Sequence, residues 1–376
     1  MEKVFDFLIV GGGIAGVSAG YELARDGSVC VLEREDQLAF HSTGRSAAIF
    51  METYGNPPVR ALTRASRGFY GAPPEGFSEA PLTSRRGALF LADEAHLAEL
   101  RAHFDAVRAA LPSVRWVEGD GLARLAPCLA PGRFAAALHE PGAVDLDVHA
   151  IHQGYVRGLR ARGGAVLTGA EVGGISRGGG VWTVTSTAGA LSGRVLVNAA
   201  GAWADAVAAL AGAPPIGLRP LRRTVILVDA PGDVSSWPLV NDGEELYFKP
   251  DAGRLLVSPC DETSCEPCNA AAQDYDVAVA VDRLERDTTI RVAHVSHRWA
   301  GLRSFVADRT PVVGPDPARE GLVWLAAQGG YGIQTAPALA RACRALTVGG
   351  VIPDDLAAFG VTAEDLSPGR PALRRG

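Results

Sequence analysis

A closely spaced set of glycines near the start of the chain is the first feature that could do chemistry. The segment GGGIAG places Gly11, Gly13 and Gly16 in the spacing G-x-G-x-x-G, and Glu33 follows about 20 residues later. In such a turn, the first glycine allows the bend, the second lets the backbone approach a pyrophosphate, and the third lets the helix pack closely on the strand. An acid at that distance accepts hydrogen bonds from a ribose hydroxyl. The pattern predicts a dinucleotide site.

The elements around these residues fit that chemistry. Residues 5–10 are a short apolar run typical of a strand, residues 14–26 have helical apolar spacing, and residues 28–32 form a second strand that ends at Glu33. The helix N-terminus supplies N–H groups and a positive dipole for phosphates. The motif by itself does not separate NAD from FAD. A polar loop, HSTGRSAA at residues 41–48, follows where an NAD domain would more naturally continue with a helix and a strand.

Composition and charge exclude several classes of protein. The 376 residues, 47% hydrophobic and 21% charged, are typical of a folded chain with two or three domains. A net charge of −6 without a long basic run argues against nucleic-acid binding. Six cysteines do not suggest a disulfide framework. The longest uncharged stretch, residues 321–340, is too polar and glycine-rich for a membrane span. We therefore expect a cytoplasmic protein without an integral membrane segment.

Two kinds of pattern that could bind a metal are discounted. Cys260, Cys265 and Cys268 have the spacing of iron–sulfur ligands, but no fourth cysteine lies nearby. His149 with His152, and a second H-x2-H pair at residues 294–297, lack a carboxylate arrangement typical of zinc sites. We expect no metal site.

The chain resembles the flavoprotein family of D-amino acid oxidases, glycine oxidases and sarcosine oxidases, and within it the likeness is greatest to the D-arginine dehydrogenases. The resemblance spans most of the chain and implies a non-covalently bound FAD. It is carried by VLERE around Glu33, HSTGRSAA, VRALT, HQGYVRGLR, LVNAAGAW, YFKPDAG, WAGLRSFVAD and AAQGGYGIQT.

Pattern and resemblance together predict a mixed α/β fold. Residues 218–258 contain three strand-like runs separated by turns, whereas helical and strand patterns alternate in the segments before and after the β-rich part. No linker or internal repeat separates these regions, so we expect them to be interleaved. A Rossmann-like FAD-binding domain would comprise residues 1–80, 143–220 and 305–376, and an antiparallel β-sheet substrate domain residues 81–142 and 221–304.

The resemblance implies that FAD is surrounded by the glycine turn, the loop after Glu33 and the start of the C-terminal helix, with Arg45 near the flavin ring. The cofactor-binding residues that it implies are Gly11, Gly13, Ile14, Ala15, Gly16, Glu33, Arg34, His41, Ser42, Thr43, Gly44, Arg45, Ser46, Ala47, Ala48, Val172, Ala200, Gly201, Trp203, Arg303, Gly329, Gly330, Tyr331, Gly332, Ile333 and Gln334.

The family's substrate site falls on Tyr54, Arg223, Tyr247, Arg303 and Gly330. The arginines and tyrosines would hold a substrate carboxylate, for which arginine supplies charge-assisted, bidentate hydrogen bonds. The carbonyl of Gly330 would accept a hydrogen bond from the substrate amine. The resemblance implies hydride transfer from Cα to flavin N5, giving an imino acid that hydrolyses to a 2-oxo acid. The expected partners are a small amino acid or amine and oxygen or another electron acceptor, and the expected assembly is a monomer or homodimer.

Two positions depart from the D-arginine dehydrogenases. A pocket glutamate that serves the distal guanidinium is Ala88 here, and a histidine after the HSTGRSAA loop is Ile49. Because an unpaired buried cation is unfavourable, these changes favour neutral, apolar D-amino acids over D-arginine. A glycine- or sarcosine-type amine oxidase stays open as an alternative. So do a 2-hydroxy acid oxidoreductase and a non-catalytic FAD-binding subunit.

Overall fold

The computed structural model describes residues 3–243 and 245–375. Its strands are β1 Val4–Val10, β2 Val29–Leu32, β3 Ile49–Phe50, β4 Thr83–Arg85, β5 Ala88–Ala92, β6 Arg115–Glu118, β7 Ala136–Glu140, β8 Val144–Leu146, β9 Ala165–Leu167, β10 Val172–Gly178, β11 Val181–Ser186, β12 Gly189–Asn198, β13 Arg219–Asp229, β14 Leu239–Asp242, β15 Leu246–Asp251, β16 Arg254–Ser258, β17 Thr263–Ser264, β18 Val295–Phe305, β19 Val312–Pro315 and β20 Leu322–Ala326.

Helices connect and cover these strands. The α-helices are α1 Ile14–Leu23, α2 Pro57–Gly71, α3 Leu97–Arg108, α4 Gly119–Leu125, α5 Val148–Ala161, α6 Ala204–Leu210, α7 Asp274–Asp287, α8 Gly332–Val348, α9 Asp354–Ala357 and α10 Ala363–Leu366, with 3-10 turns at Gly201–Trp203 and Pro371–Arg375.

A parallel sheet forms the first layer. Its parallel strands lie in the order β9-β2-β1-β12-β20, and the antiparallel strands β10, β11 and β19 extend it. β1 and β2 are apolar and largely buried because helices α1, α5 and α8 pack over the sheet. This arrangement is the Rossmann-like βαβ fold that the sequence predicted.

The second sheet is larger and mostly antiparallel. Its strands follow the order β17-β13-β16-β15-β14-β5-β7-β6, and β18 pairs with β13 along ten residue positions. β14 and β5 pair in parallel, so the sheet is mixed rather than purely antiparallel as predicted. Apolar side chains on one face form a core with α4 and α7. The opposite face carries Arg223, Val225 and Tyr247 toward a cavity.

A small third sheet has the order β3-β8-β4, with both outer strands antiparallel to β8. The proposed domain division stays a prediction, and the strands suggest different edges for it. The boundary at 220/221 falls inside β13, and the boundary at 304/305 falls in β18, one residue before that strand ends. Among the described residues, we find no helix with the length and apolar character needed to cross a membrane.

Candidate functional site

One large cavity, of about 420 Å³, lies where the carboxyl ends of the parallel strands face the second sheet. Residues that follow β1, β2 and β12 line one end of the cavity, and side chains of β13, β14, β15 and β18 line the other. The carboxyl ends of parallel strands are the usual ligand-binding edge of an open α/β sheet. The fold therefore brings the predicted nucleotide residues and the predicted substrate residues to a single site.

The glycine turn after β1 needs glycine for steric reasons. Gly11 has a φ of +113°, and a Cβ there would lie 2.3 Å from the carbonyl oxygen of Ala199. A Cβ on Gly16 would lie 1.8 Å from the carbonyl oxygen of Gly11, because α1 packs directly on the turn. The turn leaves the start of α1 facing the cavity, with no acidic side chain in its first turn. That helix terminus suits an anionic group.

Glu33 lies at the end of β2, as the sequence predicted, and is only 8% exposed. Its carboxylate accepts hydrogen bonds from the backbone N–H of Gly12 at 2.8 Å and of Glu35 at 3.0 Å. These two donors fix the carboxylate against the glycine turn. Because Glu33 also lines the cavity, its carboxylate can still accept from a ligand hydroxyl.

His152 supports the turn from the other side, which sequence reasoning missed. It lies on α5, is 2% exposed, and its Nε2 donates to the carbonyl oxygen of Gly12 at 2.9 Å. Burial lowers the pKa of His152, so the imidazole is neutral in the folded protein. In the sequence, His152 belongs both to the discounted H-x2-H pair and to the segment HQGYVRGLR, and its burial on a helix that faces the turn is the signal for this role.

We expect stability to fall in mild acid because of His152. The folded pKa lies below the unfolded value of about 6.5, so the unfolded chain binds a proton that the folded chain does not, and the free energy of unfolding decreases as the pH falls through that range. The variant His152→Gln keeps an N–H donor without titrating, so it should lose less stability between about pH 7 and about pH 5. Denaturant unfolding at both pH values measures the difference.

His96 provides a matched control for this experiment. It is exposed, and a hydrogen bond from its ring to Asp93 raises its pKa, so the stability that it contributes is lost as the pH rises and not as it falls. His96→Gln should therefore leave the acid-induced loss undiminished. An equal loss in His152→Gln and in the unsubstituted protein would contradict the role given to His152.

The loop at residues 41–48 is tied to strand β18 and to the start of helix α1. The Ser42 hydroxyl donates to the carbonyl oxygen of Leu302 at 2.7 Å, and the Arg45 guanidinium donates to those of Ala270 at 2.7 Å and Ala300 at 3.1 Å. The Thr43 hydroxyl accepts from the N–H of Ile14 at the start of α1, at 3.0 Å. The loop therefore joins the nucleotide end of the cavity to strand β18.

Arg303 is the cation that faces the substrate end of the cavity. It is half-buried in the wall of the cavity, and its guanidinium has no carboxylate or hydrogen-bond partner among the residues that the structure describes. Burial opposes a charge at this position, but the surrounding groups, Tyr54 and Tyr247 above all, raise the pKa of Arg303. A Cβ on Gly330 would lie 3.1 Å from the guanidinium carbon, so glycine at this position leaves the guanidinium uncrowded. The charge is therefore permanent and open to a ligand.

Arg223 stands on the neighbouring strand but is already engaged. Its Nε donates to the carbonyl oxygen of Asp261 at 2.8 Å, and its Nη2 donates to Glu262 at 3.0 Å. Arg309 shares the same carboxylate through two hydrogen bonds. Arg222 differs, as expected for alternating strand residues, since it pairs with Asp276 at 2.8 Å on the opposite face. Arg223 thus holds a fixed orientation and keeps only its remaining N–H groups for the cavity.

Tyr54 lines the cavity from a braced loop. Glu140, fully buried on β7, accepts from the N–H groups of Glu52 at 2.8 Å and Thr53 at 3.2 Å and from the Thr53 hydroxyl. Burial raises the pKa of Glu140, and these three donors oppose that shift. The Tyr54 ring packs edge-on against Tyr331, with the ring centroids 5.1 Å apart. The phenol is therefore held in place before any ligand binds.

Most of the predicted site residues line this one cavity. Gly16, Gly44 and Tyr331 do not, since Gly16 and Gly44 shape the backbone behind it and Tyr331 supports Tyr54. The predicted residues that line it are Tyr54, Arg223, Tyr247, Arg303 and Gly330 together with Gly11, Gly13, Ile14, Ala15, Glu33, Arg34, His41, Ser42, Thr43, Arg45, Ser46, Ala47, Ala48, Val172, Ala200, Gly201, Trp203, Gly329, Gly332, Ile333 and Gln334.

The two specificity positions behave differently. Ile49 lines the cavity, whereas Ala88 does not, although the sequence placed both in the pocket. Ala88 is fully buried on β5, opposite Leu239 in the pairing of β5 with β14, and packs in an apolar cluster with Met51. Sequence reasoning also missed Asn241, Leu239 and Val225, which line the substrate end.

Within residues 3–243 and 245–375, no group of three His, Cys, Asp or Glu side chains is arranged to hold a metal ion.

Comparison with known proteins decides the family. The model of the family DAO, described as FAD dependent oxidoreductase, matches residues 6–346. The chain belongs to this family. A glycine oxidase of Bacillus licheniformis is 26% identical over 359 residues, covering 90% of this chain and 91% of that protein. The hydrogen cyanide synthase subunit HcnC of Pseudomonas aeruginosa is 23% identical over 367 residues, covering 85% of this chain and 87% of the relative.

Solved structures show the same fold. The glycine oxidase of Geobacillus kaustophilus superposes with a TM-score of 0.82 at 23% identity, covering 96% of this chain and 98% of that one. The L-proline dehydrogenase of P. horikoshii gives a TM-score of 0.83 at 19% identity, covering 93% and 95%. The protein is thus a DAO-family oxidoreductase that depends on FAD.

The residues present fit FAD as the cofactor. The backbone cradle at Gly11 and Gly13 opens on the cavity, and the carboxylate of Glu33 lies beside it. The Nδ1 of His41, which lines the same end, is buried without a hydrogen-bond partner among the described residues, while its Nε2 contacts Glu35 at 2.8 Å. A polar ligand would satisfy this orphaned nitrogen. The groups that would hold the cofactor are the backbone of the glycine turn at Gly11 and Gly13, the carboxylate of Glu33 and the loop at residues 41–48.

Proposed function

We propose that the protein catalyses the oxidative deamination of neutral D-amino acids. One observation carries this proposal, namely that the half-buried, uncompensated guanidinium of Arg303 faces the substrate end of the cavity. A permanent cation without a counterion in a partly dry cavity favours a ligand that carries an anion. Tyr54, Tyr247 and Arg223 line the cavity around it and can add hydrogen bonds. A substrate carboxylate satisfies all four groups.

The charge distribution along the cavity supports a neutral side chain. Among the described lining residues, the acidic ones are Glu33 and Glu171, and both lie toward the nucleotide end. The substrate end is lined by apolar groups, including Ile49, Met51 and Val225. A cationic side chain would find no carboxylate there, and an unpaired buried charge is strongly unfavourable. The D configuration rests on the sequence resemblance alone.

The protein's own groups would bind and orient the substrate. Arg303 and the phenols fix the carboxylate, which restricts the rotation of the substrate and turns binding energy into orientation. Gly330 lies beside Arg303, and its carbonyl oxygen would accept a hydrogen bond from the amine. FAD, when bound, supplies the acceptor for the hydride that leaves Cα. No side chain need act as a dedicated base, because an amine can lose its proton to solvent before oxidation.

An anaerobic screen tests the proposal. The purified holoprotein should lose its flavin absorbance when mixed with neutral D-amino acids, because substrate oxidation reduces the cofactor. D-arginine, glycine, sarcosine and the L-enantiomers should bleach it at least about tenfold less efficiently, a difference of about 1.4 kcal/mol. Faster bleaching by glycine or sarcosine would support the amine-oxidase alternative, and bleaching by L-amino acids alone would overturn the D preference. Failure of every compound would refute catalysis of this kind.

A further inference from the structure

A buried amide in the substrate end of the cavity has no partner. Asn241 lies on β14 and is 8% exposed, and its Oδ1 finds no donor among the residues that the structure describes. A buried acceptor without a donor is rare in folded proteins because desolvation of the group is unfavourable. Asn241 lines the cavity, so its carboxamide faces space that a ligand can occupy.

The strands fix where Asn241 lies relative to the carboxylate-binding groups. Its backbone pairs with Tyr247 on β15 and with Phe90 on β5, and Leu239 lines the cavity two residues earlier on the same face. Val240, between them, points to the core on the other face. β14 is three strand spacings, or about 14 Å, from β13, which carries Arg223, and four spacings, or about 19 Å, from β18, which carries Arg303. The long arginine side chains span part of these gaps and leave room for an amino acid with a side chain of a few atoms.

The residues around Asn241 allow its amide to discriminate between substrate side chains that carry a hydrogen-bond donor and those that do not. Leu239, the apolar lining residue two positions earlier on this face, cannot donate a hydrogen bond, and Tyr247, the cross-strand neighbour on β15, makes none to Asn241 in the described structure. A substrate side chain that ends in a methyl group would leave the Oδ1 unpaired. A side chain that ends in an amide or hydroxyl would pair it and keep the same shape.

We propose that Asn241 makes the enzyme select neutral amino acids whose side chain carries an N–H or O–H donor. The inference rests on the proposed function and sharpens it, because it replaces an apolar side chain by a polar, uncharged one. The substrate would then be held at two points, its carboxylate at Arg303 and its side-chain donor at Asn241.

Isosteric substrate pairs provide the test. The pairs asparagine and leucine, glutamine and methionine, and serine and 2-aminobutyrate differ mainly in the donor, and each is supplied as D- and L-enantiomer to the holoenzyme. We expect kcat/KM to be at least about tenfold higher for the donor-bearing member of a pair whose length fits. In Asn241→Leu, which keeps the volume, that ratio should fall to about one or below, while kcat/KM for the apolar member stays equal or rises.

Leu239→Val is the matched control, because it changes the same strand and face without touching a polar group. It should alter both members of a pair by similar factors and keep their ratio. A ratio near one in the unsubstituted enzyme, or an unchanged ratio in Asn241→Leu, would overturn the role of Asn241 and leave the proposed function intact. Bleaching by none of the compounds would overturn the proposed function itself.

Discussion

Replacement of Arg303 by methionine should lower kcat/KM for amino acids by about a thousandfold, mainly through a higher KM. Removal of one partner of a buried charge-assisted pair typically costs about 2–5 kcal/mol, and the carboxylate would lose its strongest partner. Arg303→Lys should recover part of the loss, since it restores the charge without the bidentate geometry. Steady-state kinetics with a neutral amino acid, together with the Kd of a non-reactive carboxylate, measures both effects.

Stability should move the other way from activity in this variant. Arg303 has no counterion among the described residues, so its removal takes away a half-buried, uncompensated charge and should leave Tm unchanged or higher. Arg298→Met on the same strand is the matched control, because that arginine is half exposed, pairs with Asp274 and points away from the cavity. It should keep normal kinetics. Near-normal kinetics in Arg303→Met would contradict the carboxylate-binding role.

The second large effect concerns the cofactor. Gly11→Ala should reduce the FAD content of the purified protein at least about tenfold and lower Tm by several degrees. Its φ of +113° is unfavourable for alanine, and the new Cβ would lie 2.3 Å from the Ala199 carbonyl oxygen, which belongs to the backbone and cannot move without shifting the strand ends. Flavin absorbance per protein and thermal unfolding with and without added FAD report the two effects separately from activity.

Gly68→Ala is the control for this experiment. Gly68 lies on the exposed side of α2, and no heavy atom lies within 4 Å of the position that its Cβ would take. Alanine is favoured over glycine inside a helix by up to about 1 kcal/mol, so Tm should be equal or slightly higher and the FAD content normal. A Gly11→Ala protein that binds FAD like the unsubstituted chain would show that the glycine turn is not needed for the cofactor.

Local sequence patterns were enough to predict the nucleotide half of the site. Gly11, Gly16 and Glu33 lie within one βαβ unit, so their spacing determines their geometry. The helix expected at residues 14–26 ends at Leu23, because the chain turns before Gly27.

The substrate half depended on long-range pairing that no local pattern encodes. Asn241 faces the cavity because of the register of β14 with β15 and β5, and a shift by one residue would turn it toward the core. Ala88 was assigned to the pocket by likeness, but the packing of Leu239 and Met51 around it decides that it does not line the cavity. Arg303 was placed by the resemblance, whereas its lack of a partner is visible only in three dimensions.

Strand β18 has a consequence for how the two ligands influence each other. The backbone carbonyl groups of Ala300 and Leu302 on this strand accept hydrogen bonds from Arg45 and Ser42 of the loop at residues 41–48. The residue after Leu302 is Arg303, whose side chain faces the substrate end of the cavity. Any displacement of this strand changes both binding sites together. Cofactor and substrate affinities are then thermodynamically linked, and by reciprocity each ligand strengthens the other by the same factor if both favour one position of the strand.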